Sequence, residues 1–234
     1  MKTARSINSF KRHQILRWCE FFTLSLFVPV LFFFLIEVTE FFLFLIFPLL
    51  WIFAFLCRVI LISDSAFDHS SLWRISAVRR EGKAIFIRLL PGAILLWGLV
   101  GYLYPEQLFH LIRQKPLLWL LILFLYPALS VYPQEIIYRT YFFHRYRTLF
   151  PHQGARVVVN ALAFGFLHII FHNWIAVVLS TGGGFLFACT YLRSQSTFLV
   201  CLEHAIYGGL IFTIGLGRFF YLGGIELLPS HLRF

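Results

Sequence analysis

Six ionisable residues interrupt apolar stretches in the second half of the chain, and their spacing groups them into three sites. Glu135 and Arg139 lie four apart in Gln134-Glu135-Ile136-Ile137-Tyr138-Arg139, so on a helix they share one face. A carboxylate near a membrane core needs such a partner, and an ion pair that merely locks the helix has an equal claim on these two residues. His168 and His172 are also four apart. Two imidazoles at that spacing can chelate a metal, as in HExxH helices, although Ile169 stands where that motif has its glutamate. His172 and Asn173 fall at the end of an apolar run and read as interfacial, whereas His168 lies deeper. Glu203 and His204 are neighbours, and consecutive helix residues point about 100° apart. They cannot both face one point squarely, so one supports the other. A carboxylate with imidazoles can activate a water molecule, hold a metal that does so, or relay protons through a transporter. Residue types alone leave all three open.

The elements that position these residues are membrane helices. Of the 234 residues, 60% are hydrophobic and only 13% are charged. A soluble domain carries about 25% charged residues, so this chain cannot cover a water-facing surface of its size. A helical span needs about 20 apolar residues. Candidate spans run over Trp18–Val38, Phe41–Ile62, Ala84–Tyr104, Pro116 to Tyr132 (continuing as helix through Phe150), Val157–Asn173, Trp174–Leu192 and Thr197–Leu216. Glu37 and Glu40 fall at the first turn, and Tyr221–Leu228 offers a partial eighth element. The stretch Ser63–Lys83 holds Arg74, Arg79, Arg80 and Lys83 and reads as a cytoplasmic surface segment, partly an interfacial helix. Gly182-Gly183-Gly184 suits close helix approach.

The formal net charge is +10. The basic residues sit in short segments between apolar runs, as the positive-inside rule requires, and place the N-terminus in the cytoplasm. Arg113 and Lys115 fall on the outer side and run against that rule. No basic helix with interleaved aromatics is present to dock a phosphate backbone, which excludes nucleic acid as a partner. Cys19, Cys57, Cys189 and Cys201 form no CxxC pair and read as small hydrophobes.

The order of the three sites resembles that of the CPBP intramembrane proteases, which include type II CAAX prenyl endopeptidases and bacteriocin-processing or immunity proteins. QEIIYR (134–139) resembles that family's EExxxR, FGFLH (164–168) matches FxxxH, and EHAIYG (203–208) resembles HxxxN or HxxxD. The likeness runs from about Leu117 to Phe219. It implies catalytic roles for Glu135, His168 and His204, with Gln134, Arg139 and Glu203 in support. Two departures stand out. Gln134 replaces the first motif glutamate, and an amide is no general base. Gly208 stands where the family has an amide or acid that helps polarise the scissile carbonyl. Glu135 then takes the base role with Gln134 assisting, or Glu203 supplies the missing carboxylate, or the protein is a non-catalytic relative that binds its clients. The first is favoured, because intramembrane polar residues are costly to keep.

The sequence therefore predicts an all-α, polytopic membrane bundle of about seven to eight transmembrane helices. An N-terminal set occupies 1–116 and a CPBP-like core occupies 117–234. The expected activity is hydrolysis of a membrane-anchored protein or peptide in the plasma membrane of a bacterium. Water would be deprotonated by Glu135, held by His168, and the oxyanion stabilised by His204. A divalent metal such as zinc, on His168 and His204 with His172 as the weaker candidate, stays open, as does a proton-coupled transporter.

Overall fold

The computed structural model describes residues 2–38 and 41–220, with side chains for 12–36 and 45–220. Among the described residues every regular element is helical. Among these residues seven helices are long and apolar enough to cross a membrane: span 1 (Arg12–Ile36), span 2 (Leu45–Ile62), span 3 (Ser76–Leu103), span 4 (Pro116–Arg145), span 5 (Gln153–Phe171), span 6 (Trp174–Ser194) and span 7 (Thr197–Ile214). A helix satisfies its own backbone hydrogen bonds, which is why such runs can cross lipid. The element at Tyr221–Leu228 lies outside the described residues, as does Glu40 with the side chain of Glu37.

Spans 1–3 and the first half of span 4 present apolar side chains outward, among them Phe34, Phe55, Leu95 and Phe124. Water would not tolerate that surface, but acyl chains do. Within an apolar 18-residue stretch of each span, buried residues make up 11–22% in spans 1–4 and 39–44% in spans 5–7. The second half of span 4 departs from its first half, because Val131 and the run from Pro133 to Phe143 are buried throughout. That half-helix lies within the bundle, packed against spans 2, 5, 6 and 7. Spans 5 and 6 approach closely at Gly184, where a Cβ would lie 3.2 Å from the Ala161 Cα. Of the three consecutive glycines, Gly184 is the one at this helix contact.

Span 4 is not a uniform α-helix. Its α-helical start, Pro116–Tyr126, gives way to π-helical turns at Pro127–Val131 and Ile136–Tyr141. Pro127 and Pro133 lack backbone N–H groups, so regular i→i−4 bonding fails around them and the turns widen. The second widened turn carries Arg139, and Gln134 and Glu135 lie in the short α-helical stretch between the two, Tyr132–Glu135.

Ser63–Lys83 differs from expectation. Ser76–Lys83 continues directly into span 3 as one helix to Leu103, so only Ser63–Ile75 is a connector. Asp68 caps a short helical turn by accepting from the Ser70 amide at 3.0 Å. Asp64 accepts from His144 Nε2 at 2.8 Å, which ties the connector to the end of span 4. Ser196 caps span 7 and donates to the Arg74 carbonyl at 3.0 Å. At the same end of the bundle, Glu20 of span 1 accepts from Tyr141 Oη at 2.6 Å, Tyr146 Oη at 3.0 Å and Arg145 Nη2 at 2.7 Å. Span 1 is thereby fixed to span 4 by charge-assisted hydrogen bonds, the stronger kind.

Candidate active site

Glu135 is fully buried on the inner half of span 4. Its Oε1 accepts from His204 Nδ1 at 2.8 Å, and its Oε2 lies 3.3 Å from Arg139 Nε. Arg139 is also fully buried. Arg139 Nη1 donates to Asn160 Oδ1 at 2.9 Å, and Asn160 Nδ2 donates to the Tyr138 carbonyl at 2.5 Å. The Arg139 guanidinium stacks over Phe164, 4.7 Å from the ring centroid. Removing two charges from water is expensive, and only such a set of partners makes the burial tolerable.

His204 faces Glu135 with one nitrogen and Tyr126 with the other, because Tyr126 Oη lies 3.0 Å from Nε2. A carboxylate can only accept, so Nδ1 carries the proton. Nε2 of the neutral ring is then the acceptor, and Tyr126 donates to it. The ring is clamped by Phe187, stacked at 4.6 Å, and by the edge of Phe164 at 5.7 Å.

His168 stands where span 5 changes from α-helix to a 3₁₀ turn, His168–Phe171. Its Nδ1 lies 2.8 Å from the Phe164 carbonyl, an acceptor only. Nδ1 therefore donates, and the lone pair is on Nε2. The Phe164 ring packs against His168 at 4.9 Å, so one phenylalanine touches both imidazoles and the arginine. The turn that ends span 5 is held by Asn173, which caps span 6 through the Ala176 amide and donates to the Phe171 and Phe219 carbonyls.

These groups border a cavity of about 1990 Å³ to which all seven spans contribute. Its lining is largely apolar. Arg88, Tyr126, Ser130, Gln134, His168 and His204 supply polar groups. Glu135, Arg139 and Glu203 do not line it and lie behind the wall. Gln134 donates to Ser130 Oγ at 2.7 Å, while its buried Oε1 has no hydrogen-bond partner within the protein.

The structure thus brings Glu135, Arg139, His168 and His204 together, with Gln134 beside them. Glu203 lies elsewhere on span 7. It is fully buried and accepts from Arg88 Nη2 of span 3 at 3.2 Å, while Arg88 also donates to Thr190 at 3.0 Å. His172 leaves the site altogether. It adopts a left-handed backbone at φ 55° and stacks on Phe33 of span 1 at 4.1 Å. A metal fits this donor set poorly. No group of three His, Cys, Asp or Glu side chains converges among the described residues, and both ring nitrogens of His204 are already engaged.

Sequence reasoning passed over three residues of this region. Asn160, Phe164 and His168 follow one another at intervals of four on span 5, so the helix period itself marks Asn160 as a face-mate of His168. Arg88 is a charge within an apolar span, a signal as plain as that of Glu135. Tyr126 gave no signal of its own, since a tyrosine at the end of an apolar run is unremarkable.

No curated protein and no solved structure matches the chain. Residues 113–210 match a family model, that of the Rce1-like type II CAAX prenyl endopeptidases. The matched segment holds Tyr126, Glu135, Arg139, His168 and His204. With seven spans among the described residues and this match, the chain is an integral membrane protein whose segment 113–210 is similar to the Rce1-like type II CAAX prenyl endopeptidases, a family of proteases.

Proposed function

We propose that the protein is an intramembrane endopeptidase that hydrolyses a peptide bond of a membrane-anchored protein or peptide, within a plasma membrane and with its N-terminus in the cytoplasm. The carrying observation is the Glu135–His204 pair, in which a fully buried carboxylate holds the imidazole of a cavity-lining histidine at 2.8 Å. Both Glu135 oxygens are turned to His204 and Arg139, so the direct base is His204 and not Glu135. Glu135 fixes the tautomer that leaves Nε2 basic. It then stabilises the imidazolium formed when His204 takes a proton from water. Arg139 pairs with Glu135 and keeps it aligned. Hydroxide adds to the scissile carbonyl, and the imidazolium returns its proton to the leaving amine. Such acid–base assistance is worth roughly 10²–10⁴-fold in rate. His168, whose lone pair is on Nε2, accepts a hydrogen bond from the water or the substrate amide. Gln134 offers its Oε1 to the same water. The apolar cavity suits a substrate delivered from lipid.

The test is a comparison of C-terminal peptides by mass spectrometry. Membranes come from cells lacking the protein, complemented with wild type or with His204→Ala. Trimming of one or more membrane proteins by wild type alone supports proteolysis at this site. Identical peptide patterns in all three membranes contradict it.

A further inference from the structure

Tyr126 closes His204 Nε2, the nitrogen that the proteolytic reading makes the base. Its Oη lies 3.0 Å from that nitrogen, and Tyr126 itself lines the cavity. The ring reaches this position because position 208 has no side chain. A Cβ there would come 2.3 Å from Tyr126 Cε1 and 2.6 Å from Oη. Two aromatic edges, of Phe212 at 5.6 Å and His204 at 6.0 Å, hold the ring in that slot. Three groups therefore stand in line from the protein interior to the cavity: carboxylate, imidazole and phenol.

We propose that Tyr126 is a catalytic residue that carries protons between His204 and the cavity water. This rests on the proteolytic reading. As the water attacks, one of its O–H bonds breaks and its proton binds Tyr126 Oη. The original Tyr126 O–H bond breaks in the same motion, and that proton binds His204 Nε2. The hydroxide adds to the carbonyl carbon, and the C=O π pair moves to oxygen. When the C–N bond breaks, the proton on Nε2 returns through Tyr126 to the amine nitrogen. No other reactant is consumed, and the Nδ1 proton stays with its Glu135 hydrogen bond throughout.

The test uses the full chain with Tyr126→Phe, which keeps the ring in the Gly208 slot and removes only Oη. His204→Ala serves as the control. Two quantities are measured. One is the rate of trimming of the membrane proteins whose C termini depend on the wild type. The other is the ¹⁵N resonance of His204 Nε2 in the histidine-labelled protein. Tyr126→Phe is expected to slow trimming about 100-fold or more and to shift the Nε2 resonance as its hydrogen bond is lost. Wild-type trimming by Tyr126→Phe, with His204→Ala inactive, overturns the relay and leaves the proteolytic reading intact. An unmoved Nε2 resonance overturns the relay whatever the activity. Full trimming by His204→Ala overturns the proteolytic reading, and the relay with it.

Discussion

The ring of Tyr126 occupies the space that a side chain at Gly208 would need, with 2.3 Å between the position of a Cβ at 208 and Tyr126 Cε1. Gly208→Ala should therefore push the phenol off His204. Overpacking of this kind costs about 1–3 kcal/mol, which outweighs the gain of about 1 kcal/mol that alanine brings over glycine in a helix interior. Thermal unfolding in lipid nanodiscs should show a lowered midpoint, together with reduced trimming. An unchanged midpoint would mean that the ring can leave its slot without cost.

Among the described residues Arg139 is the arginine paired with Glu135, its Nε 3.3 Å from Oε2. Arg139→Met leaves a buried carboxylate without its counter-ion and should destabilise the protein by about 3–5 kcal/mol. Asn160→Leu removes one acceptor from the guanidinium and one donor from the Tyr138 carbonyl. Its cost should be smaller, about 1–3 kcal/mol. Denaturant unfolding of the two variants gives the order, and equal losses would show that Asn160 matters as much as the charge pair.

Gln134 lines the cavity with an unpartnered Oε1. If that oxygen accepts from the attacking water, Gln134→Glu keeps an acceptor in place and should retain most of the activity. Gln134→Leu removes it and should lower kcat/KM roughly tenfold, the value of about 1.4 kcal/mol for one hydrogen bond made in the transition state. Equal rates for the two variants would remove Gln134 from the mechanism.

Much of this arrangement was legible in the sequence, and the reason is the cost of polarity in lipid. An ionisable group such as Glu135 or His204 within an apolar run must have a partner, so the run itself marks the residue. Helix spacing then paired Glu135 with Arg139. Three aspects were not legible. Which wall of the cavity each side chain faces depends on the widened turns at Pro127–Val131 and Ile136–Tyr141, and these shift the register that an ideal helix would give. Glu135 was therefore expected at the water, whereas its oxygens are turned into the wall. Tyr126 and Gly208 meet across two spans, a contact that no local period encodes. The helix start at Ser76 was missed because Arg79, Arg80 and Lys83 read as surface, although a helix can carry them out of the membrane before its apolar part begins.

The connector between spans 2 and 3 should respond to acid. The His144 hydrogen bond holds the Asp64 carboxyl below its ordinary range, and the Ser70 hydroxyl does the same for Asp68. The folded form thus binds these protons less readily than the unfolded chain. The stabilisation is fully present above the unfolded value of about 3.9 and fades as pH falls through the lower folded values. Hydrogen exchange of amides 64–75, corrected for intrinsic rates, should accelerate over that acid window. Asp68→Asn should flatten the response at the Ser70 amide, which Asp68 accepts from at 3.0 Å. A response that persists in this variant would assign the acid effect elsewhere.

The most direct test of the Glu135–His204 unit is a double-mutant cycle on the trimming rate. Glu135→Gln, His204→Ala and the double variant are compared with wild type in isolated membranes. Residues that act as one unit lose their effect together. The double variant should therefore be no slower than His204→Ala alone, with Glu135→Gln already strongly impaired. Losses that multiply independently, or full activity in Glu135→Gln, would contradict a buried carboxylate working through this histidine.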